Sequence, residues 1–301
     1  NPHWWQSGKV PAETIGLSAA GDRDTMLYQF TSHDIQLITA DLTGTAPVSV
    51  TGSISFQDAD TTILQYVGFN TQKAPFDSAA LRSALSRGIN RASVVGAYLS
   101  GHGTAAQFPI SPVSPLYPSE LEETYSYDAF ASAMAEAGFA SGGARAGTLL
   151  VHSEDSFKVS AAEQIGRSLS AFDLSIEVRA LPWEEYTAAL AAGDFDLYYG
   201  EVKLTADWDL SALLGTGGSL NYGGWSSPQT DQLLASCAAA SDRGAALKNL
   251  CAHLRQQSPI LPVCFKSTSV LVQTGVVEDL KPTMANPFYD LTACTIHLRE
   301  E

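Results

Sequence analysis

The chain has few of the residues that most catalytic and metal centres use. Its 301 residues include four cysteines, six histidines and three methionines. Cys237, Cys251, Cys264 and Cys294 form no CxxC or other zinc-ligand spacing, which excludes a zinc site built on cysteine pairs. Cys264 in "PILPVCF" and Cys294 in "LTACTIHL" sit in apolar, strand-like contexts and read as buried thiols. Cys237 and Cys251 fall on consecutive predicted helices. Free thiols and a disulfide are both open readings there, the bridge requiring Cα atoms within about 7 Å. The histidines (3, 33, 102, 152, 253 and 297) are scattered, with no pair three or four residues apart. No metal site is read from them.

Positive charge is also scarce. Lys and Arg number 17 against 32 Asp and Glu, a formal net charge of -15. A nucleic-acid binder needs a basic face that releases counterions from phosphate, so that class is excluded. No apolar run approaches the roughly 18–20 residues that span a bilayer. The motifs GxSxG, HExxH and the P-loop are missing. "GHGTAA" (101–106) holds two glycines of a dinucleotide fingerprint but follows a helical pattern and precedes a proline-rich loop, the wrong context. Carboxylates cluster in "ELEE" (120–123), "WEEY" (183–186), "DFD" (194–196) and "ADWD" (206–209). The first two suit helix starts, where negative charge meets the positive end of the helix dipole. Nothing sets the separation that glycoside hydrolysis by paired carboxylates needs. The chain is read as a non-enzyme, with no catalytic residue and no cofactor.

What is present is a core former: 45% hydrophobic and 16% charged residues, with length enough for two lobes. Residues 13–20 read as a strand, 22–32 as a helix with Asp22 near its N-cap, 34–42 as a strand and 43–60 as loop or irregular strands. "ILQYVGFNT" (63–71) is β-branched and aromatic, as in a central strand. Asp77 or Ser78 caps a helix whose Leu81, Ala84, Leu85 and Ile89 share one face, and Asn90 restarts a second helix. Residues 101–118 form a proline-rich loop, and 127–137 a helix closed by Gly138. From 146 to 202, strand and helix alternate, with Pro182 at a first helical position, which predicts βαβ units and a largely parallel sheet. Two helices (228–239 and 242–257) and three late strands, in 259–265, 269–275 and 294–300, complete the chain.

Aromatic residues gather in one stretch. Tyr198 and Tyr199 close a strand, and Trp208, Tyr222 and Trp225 follow it among glycines. Loops beyond the C-terminal ends of strands in an α/β sheet are where ligands bind. Glu201, Lys203, Asp207 and Asp209 are placed to fix a ligand's charged ends. Packing between lobes is an equal reading of the same aromatics.

Several segments together resemble a known family. They are "YVGFNTQKAPFDSAALRSALSRGINRASVV", "GHGTAAQFPISPVSPLY" and "YSYDAFASAMAEAGF". Phe69-Asn70-Thr71, Pro75-Phe76-Asp77, Arg82 and Ile89-Asn90-Arg91 match the pattern of the family 5 extracellular solute-binding proteins, the peptide-, dipeptide- and nickel-binding receptors of ABC importers. "SSPQTDQLL" (226–234) and "SPILPVCF" (258–265) are similar to its "SNPEVDxLL" and "APxIPLxY" segments, and "NPHWWQSGKVPAETI" to "NPxYWxGKPxLDxI".

The resemblance implies an α/β fold: a periplasmic-binding-protein-like lobe of class II type, with a partial, discontinuous second lobe. Residues 1–62 would be a fragment of the large lobe, 63–268 the ligand-binding lobe and 269–301 the return to the large lobe, the chain being a C-terminal portion. It implies a substrate-binding component of an ABC importer, extracellular, as a cell-surface lipoprotein or periplasmic, whose membrane link is a lipid anchor outside this chain. Its partners would be a peptide or other small solute in an interlobe cleft and the ABC permease subunits. Asp207 is the nearest match to the family's amine-holding Asp. Trp183 and Tyr66 match pocket positions, and the usual Gly-Trp is replaced by Gly200-Glu201. The rival readings are a small-molecule sensor within a transcriptional regulator, an enzyme on the same scaffold, and a receptor for a sugar or metal chelate.

Overall fold

The computed structural model describes residues 3, 5–12, 14–139 and 144–297. In chain order its elements are α1 (Arg23–Thr31), β1 (Leu37–Ala40), β2 (Ile54–Phe69), α2 (Ala79–Arg87), α3 (Arg91–Tyr98), β3 (Gly103–Ala105), α4 (Tyr127–Glu136), β4 (Arg145–His152), α5 (Ser156–Leu169), β5 (Leu174–Leu181), α6 (Trp183–Ala192), β6 (Leu197–Lys203), α7 (Ser211–Leu214), α8 (Pro228–Ala239), α9 (Arg243–Gln257), β7 (Ile260–Gln273), β8 (Val277–Glu278) and β9 (Thr295–Ile296). The described residues divide into two compact units, 1–61 with 267–301 and 62–266. Both β2 and β7 contribute residues to each unit.

Side-chain caps start most of the helices. Asp22 accepts from Thr25 N, Ser78 from Leu81 N, Asn90 from Ser93 N, Ser126 from Ala129 N, Asp155 from Phe157 N and Lys158 N, Ser227 from Thr230 N, and Asp242 from Ala245 N. Each satisfies a backbone donor that the first helical turn leaves unpaired. Pro182 takes the N-cap place of α6 rather than the first helical position.

Unit 62–266 is built on a mixed sheet with β7, β2, β6, β4 and β5 in that order. Strands β4, β5 and β6 are parallel, whereas β2 runs antiparallel to β6 and β3 antiparallel to β7. The expected largely parallel sheet is therefore corrected to a mixed one. The alternating βαβ stretch supplies its parallel strands, and β2 and β7, which enter from the flanking sequence, supply the antiparallel pairings. Both faces are covered. One carries Val67, Phe69, Leu149, Val151 and Tyr199 against α2 to α5; the other carries Leu64, Tyr66, Leu150 and Tyr198 against α6 to α9. The period-two alternation of a strand explains why adjacent residues such as Tyr198 and Tyr199 enter different cores.

Arg82 is a buried charge held by the backbone. Its guanidinium donates to the carbonyls of Phe76 (2.7 Å), Asp77 (2.9 Å), Gln257 (2.8 Å) and Ser258 (3.2 Å). It ties the start of α2 to the turn between α9 and β7.

In the other unit β1 pairs antiparallel with residues 269–272 of β7. Phe30 of α1 packs with Ile38, Ala40 and Leu271 on one side of this pair, and Val270 and Val272 pack with Leu280 and Cys294 on the other. Residues 14–20 form no strand; most of their side chains are exposed and lack the buried face that fixes strand register. Two of the three late strands merge into β7. The third is reduced to the short β9, with 298–300 outside the described residues. All four cysteines are free and buried, so Cys237 and Cys251 form no disulfide.

Candidate functional site

The parallel strands β4, β5 and β6 end at His152, Leu181 and Lys203. Strand register sets Gln65 of β2 opposite Glu201 of β6. Gln65 is fully buried, and both ends of its amide are used. Its Oε1 accepts from the Tyr199 hydroxyl at 2.8 Å, and its Nε2 donates to Glu201 Oε2 at 2.9 Å. The same carboxylate oxygen lies 3.3 Å from Lys158 Nζ and 3.8 Å from Lys266 Nζ. Asp155 caps α5 through Oδ1, and its Oδ2 lies 3.5 Å from Lys158 Nζ.

Two ammonium groups thus face two carboxylates. Lys266 and Asp155 are almost fully buried, and a buried charge is tolerated when paired. Glu201 is the member that reaches solvent, with 27% of its side chain exposed. Its contacts all fall on Oε2, leaving Oε1 without a hydrogen bond among the described residues.

A second group at the strand ends, on the sheet face that carries Leu150 and Tyr186, is an aromatic shelf. Trp183, the first residue of α6, is 53% exposed. Its ring lies edge-on to His152 at 5.1 Å and stacks on Tyr186 at 6.0 Å. Glu154 lies 3.3 Å from His152 Nε2 and accepts from Trp183 N at 3.4 Å. The neighbouring His152 imidazole, first, and the Trp183 N–H hold its carboxyl below the ordinary value. The Tyr186 hydroxyl donates to the Tyr199 carbonyl at 2.9 Å, linking shelf and cluster. A solvent-facing indole can receive an apolar group, and a partly exposed carboxylate with its ammonium groups can receive charged ends.

The nine residues singled out from sequence divide by position. Trp183, Glu201 and Lys203 lie at the strand ends, with Lys203 exposed. Tyr66 and Tyr199 are core residues on opposite faces of the sheet. The Tyr66 hydroxyl lies 3.3 Å from that of Tyr198, and burial pushes it up to about 12. Asp207 is exposed; the Thr205 hydroxyl is the main cause holding its carboxyl below the ordinary value.

The remaining aromatics sit elsewhere. Trp208 is buried edge-on to Phe265 and donates to Ser114 Oγ at 3.2 Å. Tyr222 meets Tyr198 edge-on at 6.0 Å. Trp225 lies beneath the Arg82 guanidinium at 5.4 Å and donates to Thr230 Oγ1 at 3.3 Å. Its neighbour Gly223 accepts from Thr71, just beyond the end of β2 where Phe69 pairs with Leu197. Trp225 and Glu201 are therefore at opposite ends of β6.

Gln65, His152, Asp155, Lys158 and Lys266 escaped the sequence reading. Signals existed for three: a lone Lys266 inside an apolar strand run, and the Asp155/Lys158 spacing at a helix start. Among the described residues no group of three or more His, Cys, Asp or Glu is placed to hold a metal, and no described helix is long and apolar enough to cross a membrane.

The model of the bacterial extracellular solute-binding proteins, family 5 Middle, matches residues 1–221. Heme-binding protein A of Haemophilus influenzae is 28% identical over 146 residues, covering 46% of this chain and 26% of that protein. Among solved structures, HbpA2 from Haemophilus parasuis aligns with a TM-score of 0.75 at 18% identity, over 96% of this chain and 59% of that one. The oligopeptide-binding protein AppA from Bacillus subtilis, solved with a nonapeptide, aligns with a TM-score of 0.67 at 17% identity, over 91% of this chain and 58% of that one. The chain thus spans about three fifths of these solved relatives and about a quarter of the curated one.

Proposed function

Because the chain belongs to the bacterial extracellular solute-binding proteins of family 5, we propose that it serves as the substrate-binding component of an ABC importer and binds a peptide without transforming it. The observation that carries this reading is the strand-end arrangement of Trp183, Glu201 and the lysines. A peptide presents apolar side chains, an ammonium and a carboxylate, and the site offers a complement to each. Trp183 supplies apolar area at low entropic cost. Glu201 receives a cationic end, and Lys158 and Lys203 an anionic one. Asp207 is a second candidate for the cationic end. Tyr199 and Tyr66 support the strands beneath. In this role the protein acts outside the cytoplasm, in the periplasm or as a lipid-anchored surface protein, and hands its solute to permease subunits. Residues 63–268 form the ligand-binding lobe in this reading, with 1–62 and 269–301 belonging to the second lobe.

A second reading rests on the relative named for heme: the solute is a tetrapyrrole seated on Trp183. Calorimetric titration with a mixed tripeptide library, beside an absorbance titration with hemin, separates the two. Saturable peptide heats with no hemin spectral change support the first reading. A saturable hemin band with no peptide heat transfers the assignment to heme, and silence in both rejects both.

A further inference from the structure

Unit 62–266 contains a second concavity, of about 540 Å³, and its lining shares no residue with the strand-end site. Its size lies within the roughly 300–1,000 Å³ typical of small-molecule sites. Ile89, Phe108, Leu254, Ile260 and Pro262 give it an apolar lining. The walls are tied in place. Arg91 donates from Nε to the Pro262 carbonyl at 2.7 Å and from Nη2 to Ser86 Oγ at 3.1 Å, pinning the α2–α3 junction to β7. Opposite, the Gln107 amide pairs both ways with the Glu123 backbone, at 2.8 and 3.1 Å. This fixes the segment before α4 by a contact that imitates a strand pairing.

The lining carries three guanidiniums, of Arg87, Arg91 and Arg255, against two carboxylates, of Glu122 and Glu123. Such a local excess runs against a chain of net charge -15. Glu122 accepts from the Tyr117 hydroxyl. Glu123 is shared: Arg87 Nε stands 3.0 Å from Oε2, and Arg255 Nη1 3.7 Å from Oε1. Arg255 Nη1 also donates to the Leu121 carbonyl at 3.0 Å, while its Nε and Nη2 make no hydrogen bond among the described residues. Desolvation pulls Arg91 down to about 10, so it stays cationic at neutral pH. The Arg87–Glu123 pair is partly exposed, and such pairs are weak enough to rearrange around a ligand.

We propose that this cavity binds a small amphipathic carboxylate, its apolar body against Phe108, Ile260 and Leu254 and its carboxylate on Arg255 and Arg87. A planar guanidinium fork suits a carboxylate, and the apolar lining rewards the attached body. The site is independent of the peptide reading, since the two share no residue. Ala92 and Ala129, both exposed on helices bordering the cavity, keep its mouth open.

The test uses N-acetyl-phenylalanine and N-acetyl-phenylalaninamide, which differ only in the carboxylate, titrated into the isotope-labelled chain and followed by amide NMR shifts. The expected result is one saturable site for the acid, with shifts around residues 87–92, 123–129 and 255. Loss of a charge-assisted hydrogen bond weakens the amide about tenfold to a hundredfold. Arg255→Gln reproduces that loss for the acid, and Ala129→Phe abolishes binding while circular dichroism stays unchanged; Ala92→Phe repeats the block from the other helix should Ala129→Phe fail to fold. No saturable binding, equal affinity for acid and amide, or binding that survives both blocking substitutions overturns the proposal.

Discussion

Gln65 and Glu201, opposite each other on antiparallel strands, are joined by a 2.9 Å hydrogen bond from the Gln65 amide. Gln65 also accepts from the buried Tyr199 hydroxyl, so one side chain connects the core to the partly exposed carboxylate. Gln65→Leu strands that hydroxyl in the core. A buried donor left unpaired costs about 1–3 kcal/mol, and the urea midpoint should fall accordingly with little change in slope. Gln65→Glu sets a second carboxylate against Glu201, and its loss should shrink as pH falls into the carboxylate range.

Two glycines carry a second prediction. A Cβ at Gly200 meets the Tyr66 ring at 2.8 Å and the Tyr198 ring at 2.9 Å, whereas one at Gly223 meets the Phe69 carbonyl oxygen at 1.9 Å. The rings have some room to yield and the backbone has little. Gly200→Ala should cost about 1–3 kcal/mol, the range of core overpacking, and Gly223→Ala distinctly more. Chemical denaturation of both variants checks the order.

Trp183 is exposed and, among the described residues, packs against the rings of Tyr186 and His152. Trp183→Ala should leave stability within about 1 kcal/mol. It should weaken peptide binding by at least about tenfold, as truncation of an aromatic anchor does. A binding constant that does not move removes Trp183 from the site.

The buried tyrosines give a pH prediction. Burial raises Tyr66 to about 12 and raises Tyr117, Tyr186, Tyr198 and Tyr199 as well. Each is neutral in the folded state where the unfolded chain would ionise. The stability that Tyr66 contributes is complete below about pH 10, its unfolded value, and is lost as pH rises through about 12. Phenolate absorbance should therefore show these five of the eleven tyrosines titrating late and together with unfolding. Simple titration of all eleven near pH 10 contradicts the packing described.

Local signals were the legible part. Apolar spacing with a capping Asp77 or Ser78 placed α2, Asn90 placed α3, and the order of strands and helices after residue 146 placed β4 to β6. Residues 54–60 read as part of a loop or irregular strands because Ser, Gln and Asp dominate them, yet they belong to β2, with only Ala59 of them buried. Lys266 and Ser267 looked like a break, but both are buried within β7. The aromatic stretch 198–225 read as one site; its members pack at separate places, because strand alternation and the loop around α7 distribute them. The Glu201 cluster was hidden since Gln65 lies 136 residues away in sequence, a distance that no local pattern bridges.

Hydrogen–deuterium exchange with and without a saturating peptide tests the central claim most directly. New protection is expected in residues 152–158, 183–187 and 200–203. Protection confined to residues 221–230, or none at saturation, contradicts it.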